Sequence, residues 1–304
     1  MRMGMAGLGR MGMDMALRLV RGGVEVVGYN RSPRKVDDLA GEGGAPAYTL
    51  AELVEKLAPP RVVWLMLPAG AVVEEHLEAL AGLLDPGDLV ADGGNSHYRD
   101  SVRRAADLAR AGLLYADVGV SGGVWGRELG YCLMVGGPVE AYERLRPALD
   151  VLAASGGIMY CGGHGAGHFV KMVHNGIEYG LMQAYAEGFH ILEASPYGPG
   201  LDFAAVARMW SQGGVIRSWL LELAEAAFAR DPGLAGLAAW VEDSGEGRWT
   251  VEQAVDSAVY APVITLSLME RFRSRERNSF ADRLLAALRR EFGGHAVRPP
   301  GGGE

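Results

Sequence analysis

The chain is predicted to be an α/β protein, with a doubly wound parallel sheet followed by an all-helical domain. Three observations carry this expectation. Short runs rich in Val, Leu and Met alternate with segments of helical period through the first half. A glycine-rich turn, Gly7-Leu8-Gly9-Arg10-Met11-Gly12, joins the first of these runs to the first helical segment. The alternation stops near Gly165, and no convincing strand follows it. At 304 residues the chain is long for one core and suits two domains. We therefore expect a sheet domain at 1–163, a helical domain at 164–297 and a disordered tail, RPPGGGE, at 298–304.

The elements follow in order. Buried-strand runs occupy 1–6, 24–29, 61–67, 88–92 and 113–118, and 131–135 and 158–160 extend the same sheet. Helical periodicity fills intervening segments such as 71–84 and 98–111, which implies parallel strands with helices on both faces. Beyond the boundary, helices are expected at 168–193, 203–210, 217–228, 251–259 and 262–290, with no internal repeat.

Composition narrows the function. The chain is 49% hydrophobic and 22% charged, ordinary for a globular protein, with a net charge of −8. That balance argues against nucleic acid as a partner, and an anionic small substrate would need a local cationic pocket. Cys132 and Cys161 form neither a metal spacing nor a disulfide framework, so a reducing, cytoplasmic setting is expected. No run is long enough to span a bilayer, so no membrane partner is expected. The opening MRMGMAGLGRMG is too interrupted for a signal peptide.

The glycine turn sits where a Rossmann-type dinucleotide site requires it, between strand and helix. Gly7 permits the tight turn, Gly9 lets a diphosphate approach the backbone, and Gly12 lets helix and strand pack closely. The helix start supplies unpaired N–H groups to the anion. After the second strand comes Tyr29-Asn30-Arg31-Ser32, with no carboxylate for a ribose 2′-hydroxyl. Asn30, Arg31 and Ser32 suit a 2′-phosphate, which favours NADP and leaves NAD possible; a surface turn with a solvated Arg31 is the competing reading.

Residues 166–180 read AGHFVKMVHNGIEYG. In a helix, Lys171, His174, Asn175 and Glu178 fall at i, i+3, i+4 and i+7 on one stripe, between apolar neighbours. Four such groups beside a cofactor domain read as chemistry rather than a solvated face. A zinc site on His164, His168 and His174 is disfavoured, because glycines surround the first two and no cysteine or carboxylate completes the set. No metal is expected.

Four further segments carry a resemblance: Asp92-Gly93-Gly94-Asn95-Ser96; Gly119-Val120-Ser121-Gly122-Gly123 with Gly126; Leu133-Met134 before Gly136-Gly137; and the 166–180 stretch itself. With the glycine turn, with Gly247-Arg248-Trp249-Thr250 and with the Arg289 to His295 run RREFGGH, they closely resemble the 6-phosphogluconate dehydrogenase family, in a short bacterial-type form. The resemblance implies oxidation at C3 of 6-phospho-D-gluconate with reduction of NADP or NAD, loss of CO2, and protonation of an enediol to ribulose 5-phosphate, a step of the pentose phosphate pathway. It implies Lys171 as the base, which then polarises the C3 ketone, and Glu178 as the acid at C1. His174 and Asn175 would orient the reacting centre. Asn95, Ser121, Gly122 and Gly123 would hold substrate, and Tyr179, Arg248, Thr250 and Arg271 its phosphate, with Arg289 and His295 entering from a second subunit. Leu8, Arg10, Met11, Leu67, Pro68 and Ala69 would line the cofactor side, and Asn95 would touch it. Position 248 departs from the family's lysine. Arg273, Arg275 and Arg277 lie close enough to Arg271 to leave its role open, an exposed basic face being the alternative for each. A tail that completes a neighbour's pocket implies a homo-oligomer, dimer or tetramer. A 3-hydroxyisobutyrate-type dehydrogenase shares the loop and the lysine but not residues 174–179 or the tail. A non-catalytic dinucleotide sensor would not need both Lys171 and Glu178.

Overall fold

A computed structural model of the chain describes residues 1–276, 278–293 and 296–298, with only the backbone at 292 and 293. Arg277, His295 and the end of the expected tail from 299 onward lie outside the described residues. The chain divides into two compact units, Met1–Asn175 and Gly176–Glu304. That division falls inside a helix, later than the change of pattern near residue 163, because the first turns of the helix pack against the sheet.

The first unit contains β1 (Arg2–Ala6), α1 (Arg10–Arg21), β2 (Glu25–Tyr29), α2 (Pro33–Gly41), β3 (Ala45–Ala47), α3 (Leu50–Glu55), β4 (Val62–Leu65), α4 (Ala71–Ala81), β5 (Leu89–Asp92), α5 (Tyr98–Arg110), β6 (Leu114–Ser121), α6 (Gly126–Leu129), β7 (Tyr131–Gly136), α7 (Val139–Leu152) and β8 (Ala153–Gly162). One sheet holds all eight strands in the order β3-β2-β1-β4-β5-β6-β7-β8. The order reverses between β1 and β4, and ligands of such sheets bind outside the strand ends at that point. Strand alternation builds a core on each face. Met3, Met5, Trp64 and Leu89 pack on one face with residues of α1 and α7, while Ala6, Val63, Leu65 and Val90 pack on the other with residues of α3, α4 and α5.

Two features of the sheet differ from expectation. β7 runs antiparallel to β6, because the connection from Gly122 to Gly130 is too short for the crossover that a parallel pair needs. β3, an Ala-Pro-Ala edge strand, carries no apolar run, and its proline is tolerated because it lies at the edge.

The second unit begins within α8 (Ala166–Glu193) and continues through α9 (Phe203–Ser211), α10 (Trp219–Arg230), α11 (Glu246–Asp256), α12 (Pro262–Arg273) and α13 (Phe280–Gly293). The helix expected at 262–290 is two helices. Asn278 takes a positive φ of 59°, and the Ser279 hydroxyl accepts the Asp282 N–H to start α13 afresh. α11 starts at Glu246, ahead of the expected Val251, directly after Gly245 at φ 102°. One buried cluster of this unit, among the described residues, is Phe189, Ala207 and Leu221, with Tyr185, Phe203, Trp210 and Phe228 against them.

Candidate active site

The glycine turn has the geometry its residues imply. Gly7 sits at φ 99°, where a side chain would also strike the Met66 carbonyl. A Cβ at Gly12 would overlap the Gly7 carbonyl, so close packing of α1 on the turn requires glycine there. Gly9, the N-cap of α1, has nothing within 4 Å of where a Cβ would stand. The first turn of α1 carries no acidic side chain. Exposed Gly9 and Arg10 thus border an open cradle of backbone N–H groups that fits a diphosphate. Leu8 is buried and Met11 half-buried.

The end of β2 divides its expected roles. Asn30 Oδ1 accepts the Leu8 N–H at 3.0 Å, so Asn30 braces the turn itself. Arg31 and Ser32 are exposed. After β4, Leu67 packs its side chain toward Gly7 and its carbonyl against Gly94, while Pro68 and Ala69 are exposed.

Two loops at neighbouring strand ends are locked by buried polar groups. Asn95, at φ 53°, receives the Val120 N–H on Oδ1 at 3.0 Å and donates Nδ2 to the Val120 carbonyl at 3.2 Å, tying the loop after β5 to β6 beside Ser121. Beneath it, Arg104 of α5 is buried and donates Nη1 to Asp92 at 2.9 Å and to Ser96 Oγ at 2.7 Å. Tyr115 OH also donates to Asp92. Burial, with the Asp92 carboxylate adding to it, holds that phenol well above its usual pKa.

α8 reaches this region through an absence of side chains. A Cβ at Gly119 would collide with Lys171 Cβ, and one at Gly167 would meet the Met134 and Asp117 carbonyls. Asp117, fully buried, accepts the Gly165 N–H at 2.6 Å and the His168 N–H at 2.9 Å, a carboxylate on the positive end of the helix. Ser101 Oγ and His168 Nδ1 are 2.8 Å apart. Three of the four residues of the stripe, Lys171, His174 and Asn175, are then brought together. Lys171 Nζ, 5% exposed, donates to Asn175 Oδ1 at 2.6 Å. His174 Nδ1 lies 3.1 Å from the same oxygen, and His174 Nε2 lies 3.4 Å from Ser121 Oγ. Hydroxyl, imidazole, amide and amine form one chain. His174 belongs to that chain, whereas His168 pairs with Ser101 outside it. Gly122 and Gly123 follow Ser121 at φ 137° and 54°.

Within the second unit, Glu178 is half-buried and Tyr179 buried on α8. A Cβ at Gly247 would overlap the Tyr179 ring, and one at Gly176 would press on Thr250. These two glycines seat α11 on α8. Thr250 Oγ1 donates to the Glu246 carbonyl at 2.8 Å. The Arg271 guanidinium stacks 3.5 Å from the Tyr179 ring centroid and donates to the Glu242 carbonyl. Arg248 Nε and Nη2 hold both oxygens of Asp243 at 2.7 and 3.0 Å, and Arg275 Nη2 holds Oδ2 at 2.7 Å. Hydrogen bonding from Arg248, against burial and with Arg275 assisting, takes the Asp243 pKa down to about 2. Arg273 is exposed beside Glu270, and Arg289 is exposed on α13. An apolar cavity of this unit, about 600 Å³, is lined by Tyr185, Phe189, Phe203 and Phe228 and, among the described residues, by none of the expected site residues.

Sequence reasoning missed Asp117, Arg104 and Asp243. A signal existed for the first: a carboxylate in the middle of an apolar strand run is costly unless paired. Arg104 repeats with Ser101 and Leu108 on the buried face of α5, a weaker sign.

Residues 2–163 match the family described as the NAD binding domain of 6-phosphogluconate dehydrogenase. Residues 167–292 match the 6-phosphogluconate dehydrogenase C-terminal domain. The Bacillus subtilis protein YqeC is 45% identical over 98% of this chain and 99% of its own length. The NAD(+)-dependent, decarboxylating 6-phosphogluconate dehydrogenase of Haloferax volcanii is 46% identical over 98% of both chains. Among solved structures, Plasmodium falciparum 6-phosphogluconate dehydrogenase, studied with NADP+ and with 6-phosphogluconate, superposes with a TM-score of 0.83 at 27% identity, over 100% of this chain and 67% of that one. Two domain matches that together span nearly all of the chain, and full-length relatives far above chance identity, give one conclusion: the chain belongs to the 6-phosphogluconate dehydrogenase family.

Proposed function

We propose that the protein oxidatively decarboxylates 6-phospho-D-gluconate to ribulose 5-phosphate and CO2 with a nicotinamide dinucleotide. The observation that carries this reading is the chain Ser121–His174–Asn175–Lys171, half-buried at its serine and histidine and buried at its asparagine and lysine, built on a helix held to the sheet by Asp117. Gly7, Gly9 and Gly12 would hold the diphosphate, and the bound cofactor supplies a hydride acceptor. Lys171 takes the proton of the C3 hydroxyl, its amine oriented by Asn175 Oδ1. As an ammonium it then faces the C3 ketone oxygen, stabilises the charge that develops as CO2 leaves, and holds the enediolate. Glu178 delivers a proton to C1. Ser121 and Asn95 position the acid end of the substrate, and Tyr179, Arg248, Thr250 and Arg271 its phosphate.

For the cofactor, Arg31 with no carboxylate at the end of β2 supports NADP, whereas the Haloferax relative uses NAD. We also infer a homo-oligomer in which α13 of one copy is covered by another. Phe280, Leu284, Leu285 and Leu288 of that helix are all exposed large apolar side chains, and Arg289 lies beside them. His295 would accompany Arg289 into the neighbour's pocket. The thiols of Cys132 and Cys161 are unbridged, which supports a reducing, cytoplasmic setting. The match over 167–292 favours this substrate over 3-hydroxyisobutyrate, and Lys171 with Glu178 favours an enzyme over a dinucleotide sensor.

Purified protein, given 6-phosphogluconate with NADP or NAD, should reduce the cofactor and release CO2 in equal amounts. Turnover of 3-hydroxyisobutyrate in preference to 6-phosphogluconate would reject the reading.

A further inference from the structure

We propose that Asp243 is the residue that sets selectivity for a phosphorylated substrate, by splinting Arg248 and Arg275 into a preformed anion fork. The inference rests on the reading of the second unit as the phosphate end of the site, and it adds residues to which that reading assigns no role.

Asp243 lies on the segment before α11, and its side chain is 3% exposed. A carboxylate buried to that degree is costly unless paired. Here it takes three guanidinium N–H groups, two from Arg248 and one from Arg275. The way it does so matters. On Arg248 it occupies the Nε edge, through Nε and Nη2, and leaves the end-on pair of donors on Nη1 and Nη2 for another acceptor. On Arg275 it takes one Nη2 hydrogen, while Nε is held by the Arg271 carbonyl at 3.1 Å. Both guanidiniums lie over the Phe272 ring, at 4.5 and 5.3 Å from its centroid. The Arg271 guanidinium is fixed separately, by the Tyr179 ring and the Glu242 carbonyl.

Two guanidiniums therefore stand in fixed orientations on one buried carboxylate, a local excess of one positive charge on a chain whose net charge is −8. Without the splint, two long side chains would each lose rotamer freedom on binding a phosphate. With it, that ordering is already complete. The Asp243 pKa of about 2 keeps the splint charged at any physiological pH. The arrangement suits arginine where the family has lysine: a guanidinium can hold Asp243 bidentately on one edge and offer a second pair of donors to a phosphate on the other.

The test compares Asp243→Asn and Arg275→Gln with the wild-type protein. Steady-state kinetics would be measured with 6-phosphogluconate and with unphosphorylated gluconate, together with competitive inhibition by inorganic phosphate. For Asp243→Asn, KM for 6-phosphogluconate and the inhibition constant for phosphate should both rise about tenfold. Its kcat should stay within about twofold, and its preference for the phosphorylated substrate should fall by about the same tenfold. Arg275→Gln should shift the same quantities in the same direction by about threefold, and it decides the matter should Asp243→Asn fail to fold. An unchanged or tighter phosphate constant in the folded variant overturns the proposal, since Asp243 would then be a bystander or a competitor. Equal losses on both substrates would overturn it too, by making the residue merely structural. Wild-type protein that binds phosphate but does not turn over 6-phosphogluconate would sink the functional reading instead.

Discussion

The two units of this chain bury their apolar residues by different routes. In the first, Met3, Met5, Trp64, Leu65 and Leu133 vanish completely into cores on the two faces of one sheet. In the second, only six apolar residues are buried among those described, while Tyr260 is 91% exposed, Phe280 71% and Leu285 60%. A parallel sheet with crossover helices covers itself, because each connection lays a helix across a face. A set of helices joined by loops buries only the stripes that happen to meet and leaves the remainder exposed in the single chain, which is the surface the proposed homo-oligomer would cover. The polar groups divide the same way. The first unit fixes its site with backbone-directed bonds from Asp117 and Asn95, the second with guanidiniums around Asp243.

The sharpest break in the comparison is Lys171→Met. It should lower kcat by at least about a thousandfold while dinucleotide affinity, read by fluorescence titration, barely moves, because the cofactor cradle lies in the glycine turn. Wild-type-like turnover would remove the lysine from the chemistry. Next is Leu285→Glu with Leu288→Glu. Two charges on the α13 face should shift the assembly equilibrium toward monomer by about a hundredfold or more in sedimentation velocity, with the first unit's thermal transition in place. An unaltered assembly would mean that this helix is not covered by a second copy.

Gly119→Ala probes the close approach of sheet and helix. The new methyl collides with Lys171 Cβ, so stability should fall by about 1–3 kcal/mol in urea unfolding and kcat should fall with it. Unchanged values in both would show that α8 can shift freely. Arg31→Ala should weaken NADP about tenfold and leave NAD nearly unaffected; an equal effect on both would refute the 2′-phosphate contact. Smallest is an acid effect. Asp243 titrates near 2 when folded against 3.8 ordinarily, so its stabilising contribution is complete above about pH 4 and is lost as pH falls toward 2. Near-ultraviolet circular dichroism of Trp249 and its surroundings should follow that loss in the wild type and not in Asp243→Asn.

Much of the first unit was legible beforehand. The strand runs, the glycine turn and the Lys171 stripe are local patterns, set by alternation, by positive-φ demands and by helical spacing. The break between α12 and α13 was less so, since Asn278 and Ser279 are weak signals within an otherwise helical stretch. The reversal of β7 was open in principle, because the connection from Gly122 to Gly130 was short.

The amino-acid order alone determined the fold class, the cofactor turn and which four side chains share a face of α8, since each depends on residues close in the chain. Only the tertiary structure decided that Asp117 caps that helix, that Asn95 bonds to Val120, and that Asp243 gathers two arginines. Those are pairings between residues brought close by packing, and a buried charge reveals its partner only once the chain has closed around it.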